Sequence, residues 1–306
     1  MAVATIAATP EILLASDTAA ATERVDLPEI LTIVCGVVSI PLIVLLWRWN
    51  GWRPPREDGR PAPTPWRPSP LASGLTFVAF LLIAPLLVQL GFAELTDLDP
   101  ILRNGLQIWT ASAFGLLFAL PVAVLAMRRP RPAGAPALSP FPTILPVGVL
   151  AFLVLFPLVM STQFLGGLAH TMLTGEPPEI LGHETLQLLR EMPLDLGWWA
   201  IASGVVIAAP WQEEVMFRGM LQQTFRKSGI GPWLSIAITA SLFTIMHVPA
   251  IPDASRMSVL PGLLLLSIGL GVLRERTGRI STCVVAHAAF NLVNLSLSFA
   301  VDPAGG

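Results

Sequence analysis

Residues 197–225 read GWWAIASGVVIAAPWQEEVMFRGMLQQTF, and the fold class is decided by that stretch. It is apolar over more than the about 20 residues that a helix needs to cross a bilayer core, yet Glu213, Glu214 and Arg218 lie inside it. An ionised side chain near a bilayer centre costs about 2.5–3.5 kcal/mol on insertion scales. Three in one helix must therefore be shielded and paired. Glu214 and Arg218 are spaced i, i+4, so they share a helix face and can pair. Glu213 points about 100° away and is free to face a cavity. Pro210 removes one backbone hydrogen bond and predicts a kink just before the glutamates. Burial penalises charge on Glu213, whereas Arg218 offsets that penalty at Glu214. Two adjacent carboxylates in such different surroundings suit a general base beside a structural ion-pair partner. The plainer alternative is an ion pair that only locks helices together.

Outward from this stretch the same chemistry continues. Of 306 residues, 54% are hydrophobic and 12% charged, about half the charge of a typical soluble domain; the mean hydropathy is +0.70. A net charge of −2 offers no basic stripe for nucleic acid. Cys35 and Cys283 both fall in apolar runs, which excludes a disulfide framework and a CxxC zinc knuckle. Eight segments are long and apolar enough to span: 30–47, 71–93, 105–127, 143–173, 197–225, 231–249, 257–273 and 280–299. The expected fold is all-α, a polytopic transmembrane bundle of about eight spans with its site inside the membrane. Two Pro/Arg stretches, Arg48 to Pro70 and Arg128 to Pro142, read as extended loops. The connector from Glu176 to Asp195 contains Leu186, Leu188 and Leu189, which suggest a short interfacial helix before Pro193. The loops 48–70, 128–142, 226–230 and 274–279 hold most of the 18 Lys and Arg. By the positive-inside rule they share the cytoplasmic side and both termini lie outside. Residues 1–29 lack a positive n-region followed by a short apolar core and read as a polar tail, not a signal peptide. The chain thus divides into that tail, N-terminal helices and loops over 30–195, a four-helix core over 196–299, and a tail over 300–306.

Further polar residues interrupt the last helices. The sixth span ends Phe243-Thr244-Ile245-Met246-His247, and the eighth contains His287, Asn291 and Asn294 at i, i+4 and i+7, a polar stripe on an apolar helix. At 1.5 Å per residue, Glu213 lies about 18 Å from the arginine-rich end of its helix, His247 about 24 Å and His287 about 11 Å from the starts of theirs. All three depths fall within the hydrocarbon core, so the side chains can converge. His170 and His183 have no polar company at helical spacing and read as structural residues. No serine or cysteine nucleophile is singled out beside a histidine; Ser203 and Cys283 lie on the same helices without a motif.

Glu213-Glu214-x-x-x-Arg218, Phe243-x-x-x-His247 and His287-x-x-x-Asn291 together resemble the three motifs of the CPBP family, which groups CAAX prenyl proteases, bacteriocin-processing enzymes and abortive-infection proteins. The resemblance covers about residues 196–299. It implies an intramembrane endopeptidase, with Glu213 as the base that activates water and His247 assisting. It further implies that His287 and Asn291 bind the attacking water or the oxyanion, and that Glu214 and Arg218, with Phe243, support the site. Glu213, His247 and His287 are also a ligand set known from zinc hydrolases, but HExxH is absent; the reading leaves Zn²⁺ and metal-free, glutamate-activated water both open. The implied partners are the bilayer and a membrane-embedded or membrane-tethered peptide or protein substrate, lipidated substrates included, with no nucleic acid. The Arg/Pro-rich, Lys-poor composition suggests a multi-pass protein of a bacterial inner membrane. Rival readings are a proton- or ion-coupled transporter and a non-catalytic membrane scaffold.

Overall fold

A helix buried in lipid need not segregate apolar from polar faces, because hydrocarbon is as apolar as a protein core. What brings such helices together is close backbone approach and a few shared polar contacts. The structure, a computed structural model, describes residues 27–48, 69–127, 141–178 and 184–300. Residues 1–26 of the expected polar N-terminal tail, most of the two Pro/Arg loops, His183 and the last six residues lie outside the described residues, and the first helix begins at Leu27, inside the expected tail.

Among the described residues the chain is helical throughout, with no strand. The helices are α1 (Leu27–Arg48), α2 (Pro70–Phe92), α3 (Pro100–Met127), α4 (Ile144–Thr174) and the short α5 (Glu184–Glu191). There follows one composite helix: α6 (Leu196–Ser203), a π-helical turn (Gly204–Ala208), α7 (Ala209–Glu214), a second π-helical turn (Val215–Leu221) and α8 (Gln222–Lys227). The chain closes with α9 (Pro232–His247), α10 (Arg256–Thr277) and α11 (Ile280–Ser298). Among the described residues six helices, α1, α2, α4, α9, α10 and α11, are long and apolar enough to cross a membrane. At 28 residues, α3 is long enough too, about 42 Å, and its stretch 110–127 holds no charged residue. The composite helix is long enough too, and is interrupted by its charges. The count of eight spans is thus approximate; the polytopic all-α bundle is not in doubt.

Two expectations are corrected. Arg226 and Arg274, expected in loops, belong to α8 and α10 and are buried at 2% and 0% exposure. Helix α10 also runs to Thr277, past the expected end at 273, because Arg274 and Glu275 are shielded inside the protein. By contrast, the short helix before Pro193 is present as α5, with Leu189 fully buried against Trp198 and Leu295.

Two apolar clusters flank the composite helix. One joins Phe77, Phe80 and Ala84 of α2 to Met216, Phe217 and Met220 of the second π turn and Phe243 of α9. The other joins Cys35 of α1, Leu155, Phe156 and Val159 of α4, Leu266 and Leu270 of α10, and Cys283, Ala286 and Phe290 of α11. Leu, Ile and Val side chains such as Leu71, Leu75 and Leu82 of α2 point outward, as expected where lipid is the solvent.

Helices α3 and α6 approach closely. A Cβ at Gly105 would lie 2.5 Å from the Ala200 Cβ and 2.9 Å from the Ala200 carbonyl carbon. Backbone cannot step aside as a flexible side chain can. Gly105→Val is expected to destabilise the protein by about 1–3 kcal/mol through overpacking. The check is the thermal midpoint in detergent micelles, and an unchanged midpoint would contradict this helix contact.

Candidate active site

The composite helix starts where Asp195 caps it, its Oδ1 accepting from the Trp198 amide at 2.9 Å. The Trp198 indole donates to the Leu189 carbonyl at 2.9 Å and ties α5 to this end. One turn later the register widens: the Ala209 amide donates to the Gly204 carbonyl, five residues back instead of four. Pro210 follows at once and has no amide proton to give. The expected disruption before the glutamates is therefore present, as a π-helical turn. Such turns recur at functional sites because they displace side chains from the α-helical register.

Glu214 is fully buried, and its Oε1 accepts from Arg218 Nη1 at 2.9 Å. The same oxygen lies 2.9 Å from His287 Nδ1. A carboxylate can only accept, so the Nδ1 carries the proton and donates, which leaves Nε2 of a neutral His287 as the acceptor. That Nε2 stands 3.8 Å from Glu213 Oε2. This is too long for a direct hydrogen bond but short enough for both atoms to hold one small molecule between them. Glu213 is 22% exposed, against 0% for Glu214. The two neighbouring carboxylates therefore occupy the different environments that the sequence implied.

Arg218 is held at three points. Besides Glu214, its Nη2 donates to Ser267 Oγ at 2.7 Å and to the Ser267 carbonyl at 3.2 Å. Its guanidinium carbon sits 4.7 Å from the centroid of the Phe243 ring, a cation–π contact strengthened by the full burial of both side chains. The Phe243 ring also borders both imidazoles, with centroids 4.5 Å from His247 and 5.9 Å from His287. His247 Nδ1 is 2.8 Å from the Phe243 carbonyl of its own helix, so it donates there and its Nε2 is left for other chemistry. No hydrogen bond joins His247 to Glu213; the shared phenyl ring brings it into the cluster. Asn291 Nδ2 donates to the Val205 carbonyl at 2.9 Å. Asn294 is half-buried one turn on, and no hydrogen bond links it to these groups. His170 is buried in α4, apart from them.

Zinc needs at least three protein ligands about 2.0–2.3 Å from one point. Among the described residues no three His, Cys, Asp or Glu form such a group. Glu213, His247 and His287 thus do not form a zinc site in this arrangement.

Sequence reasoning missed Ser267, because a lone serine in an apolar helix carries no signal of its own. It also missed a buried ladder beyond Arg218. Gln222 Nε2 donates to Glu275 Oε1 at 3.0 Å and to the Gly271 carbonyl at 3.2 Å. Arg226 Nε meets Glu275 Oε2 at 3.3 Å. Its signal was available: Glu214, Arg218, Gln222 and Arg226 repeat every fourth residue, as do Ser267, Gly271 and Glu275.

Residues 195–293 match the family described as Type II CAAX prenyl endopeptidase, Rce1-like. The match contains every motif residue of the cluster. No curated protein and no solved structure matches the chain.

The two glutamates should respond differently to loss of charge. Glu214→Gln strips the counter-charge from a fully buried arginine and is expected to cost about 3 kcal/mol or more. Glu213→Gln, partly exposed and unpaired, should stay within about 1 kcal/mol of the parent. Thermal unfolding in micelles distinguishes them, and equal losses would refute this division of roles.

Proposed function

We propose that this integral membrane protein, whose residues 195–293 resemble the Type II CAAX prenyl endopeptidases, hydrolyses peptide bonds of membrane-associated or lipidated substrates by glutamate-activated water. The observation that carries the reading is the relay in which Arg218 and Glu214 fix His287, and His287 Nε2 faces Glu213 across 3.8 Å. A water seated there can donate one hydrogen to the imidazole and the other to the carboxylate. Glu213 takes its proton as the nascent hydroxide attacks the substrate carbonyl, then returns that proton to the departing amine. His247 borders the same ring as His287 and brings a second imidazole to the developing charge. Glu214, Arg218 and Phe243 touch no reacting atom on this reading. They fix the geometry, which is most of what a preorganised site contributes. Asn291, on the His287 face of α11, completes the group.

The domain division proposed from the sequence supports this reading, since the relay is contained in the core over 196–299. The arginine-rich loops are inferred to face the cytoplasm. The substrate is inferred to be a peptide presented at the membrane, in keeping with a site framed by helices that span it. The family's name points to prenylated CAAX tails as the first substrates to test.

Glu213→Ala and His287→Ala are each expected to lower peptide release at least about 100-fold, the usual contribution of a positioned acid–base group. A farnesylated CAAX peptide in micelles provides one assay. Comparison of the peptides released by cells carrying the parent or Glu213→Ala provides another. Unchanged release by Glu213→Ala in both would end the hydrolase reading.

A further inference from the structure

We propose that Asn291 is a positioning residue: it supplies the hydrogen bond that Pro210 cannot, and so holds the widened turn that sets Glu213 opposite His287. Its effect on activity rests on the hydrolase reading above; its effect on the fold does not.

The argument begins with the register of the π turn. The Ala209 amide serves the Gly204 carbonyl. In the same five-residue register the next amide, at position 210, would serve the Val205 carbonyl. Proline has no such amide. The Val205 carbonyl instead accepts from Asn291 Nδ2 at 2.9 Å. In a spanning helix a backbone carbonyl without a donor has no water to turn to, so a side chain must take the place of the missing amide. Asn291 has the right length, and its helix packs against this turn.

The consequence reaches the carboxylates because α11 touches the composite helix at two places one turn apart. His287 bonds to Glu214, and Asn291, four residues further on, bonds to Val205. These two contacts bracket Pro210. Loss of the second lets the turn relax and α11 shift, and the 3.8 Å separation of His287 Nε2 and Glu213 Oε2 depends on both. The resemblance implies a different role, with Asn291 acting directly on water or the oxyanion. The two roles differ in what can repair the loss of Asn291. An amide proton restored at position 210 can satisfy Val205, but it cannot reach a reacting carbonyl.

The test uses the full chain in detergent micelles: the parent, Asn291→Ala, Pro210→Ala, the double variant and Glu213→Ala. Two readouts are taken, the thermal midpoint and cleavage of an internally quenched farnesylated CAAX peptide. Asn291→Ala is expected to lower the midpoint by about 3–6 °C and cleavage by about tenfold or more. Pro210→Ala alone, in which two donors share one carbonyl, is expected to keep at least about half the parent's cleavage. The double variant is expected to return to within about threefold of Pro210→Ala in cleavage and within about 2 °C in midpoint, the non-additivity of two changes at one bond. The proposal is overturned if Asn291→Ala behaves as the parent, if Pro210→Ala alone is inactive, or if the double variant regains its midpoint but not its cleavage. Should the parent and Glu213→Ala treat the peptide alike, the hydrolase reading fails by itself, and the midpoints still decide whether Asn291 stands in for the missing amide.

Discussion

One carboxylate oxygen, Glu214 Oε1, organises the interior of this protein. It accepts from a guanidinium on its own helix and from an imidazole on α11. In water such contacts would add little, because solvent competes for every donor. Within the bundle Glu214 and Arg218 have no exposure, and either one without the other would be a bare charge in a low-dielectric medium. The pair must therefore form wherever the helix inserts, and His287 must dock to it. Arrangement of the four C-terminal helices follows from that requirement as much as from apolar packing.

This dependence explains the division of labour between adjacent glutamates. Glu214 has its charge committed to Arg218 and one oxygen, Oε1, to two donors, so it orients other groups. Glu213, about 100° round the helix, keeps partial exposure and meets His287 only across a gap. The protein thus holds a charge-neutral clamp and an uncommitted carboxylate side by side. The clamp also fixes the His287 tautomer, leaving the acceptor nitrogen turned toward Glu213. Phe243 adds a second restraint, since one ring borders Arg218, His247 and His287, and rotation of any of the three would open a gap beside the buried ring.

Much of this was legible in the residues. The i, i+4 spacing of Glu214 and Arg218 required their pairing, and the apolar runs required the helices. Depth along each span placed His247 and His287 at levels from which they could converge, and the close contact of His287 with Glu213 agrees. Other features were not legible, for specific reasons. Arg226 and Arg274 were assigned to loops because a basic residue near a span's end ordinarily reaches water; here Arg226 and Glu275 bury one another. Pro210 announced a disruption but not its form, because whether a helix kinks or widens depends on what can satisfy the freed carbonyl, and that donor lies 86 residues away in Asn291. Ser267 could not be singled out until Arg218 was seen to reach it.

The ladder between the composite helix and α10 accounts for why these parts meet in one register. Apolar helix faces in lipid specify register weakly, since sliding one past another by a turn exchanges like contacts for like. Arg218 on Ser267, Gln222 on Gly271 and Glu275, and Arg226 on Glu275 remove that freedom. A slip of one turn would break all these bonds together and leave the buried Glu275 carboxylate without its donors. Only two residues, Gly278 and Arg279, separate α10 from α11. Gly278 makes this tight reversal at φ 68°, a backbone setting that glycine adopts without strain. The register fixed by the ladder is therefore passed across the turn to α11 and sets the height of His287 against Glu214. Polar groups remote from the reacting atoms thus determine where the imidazole stands, and the apolar faces of the same helices could not have done so.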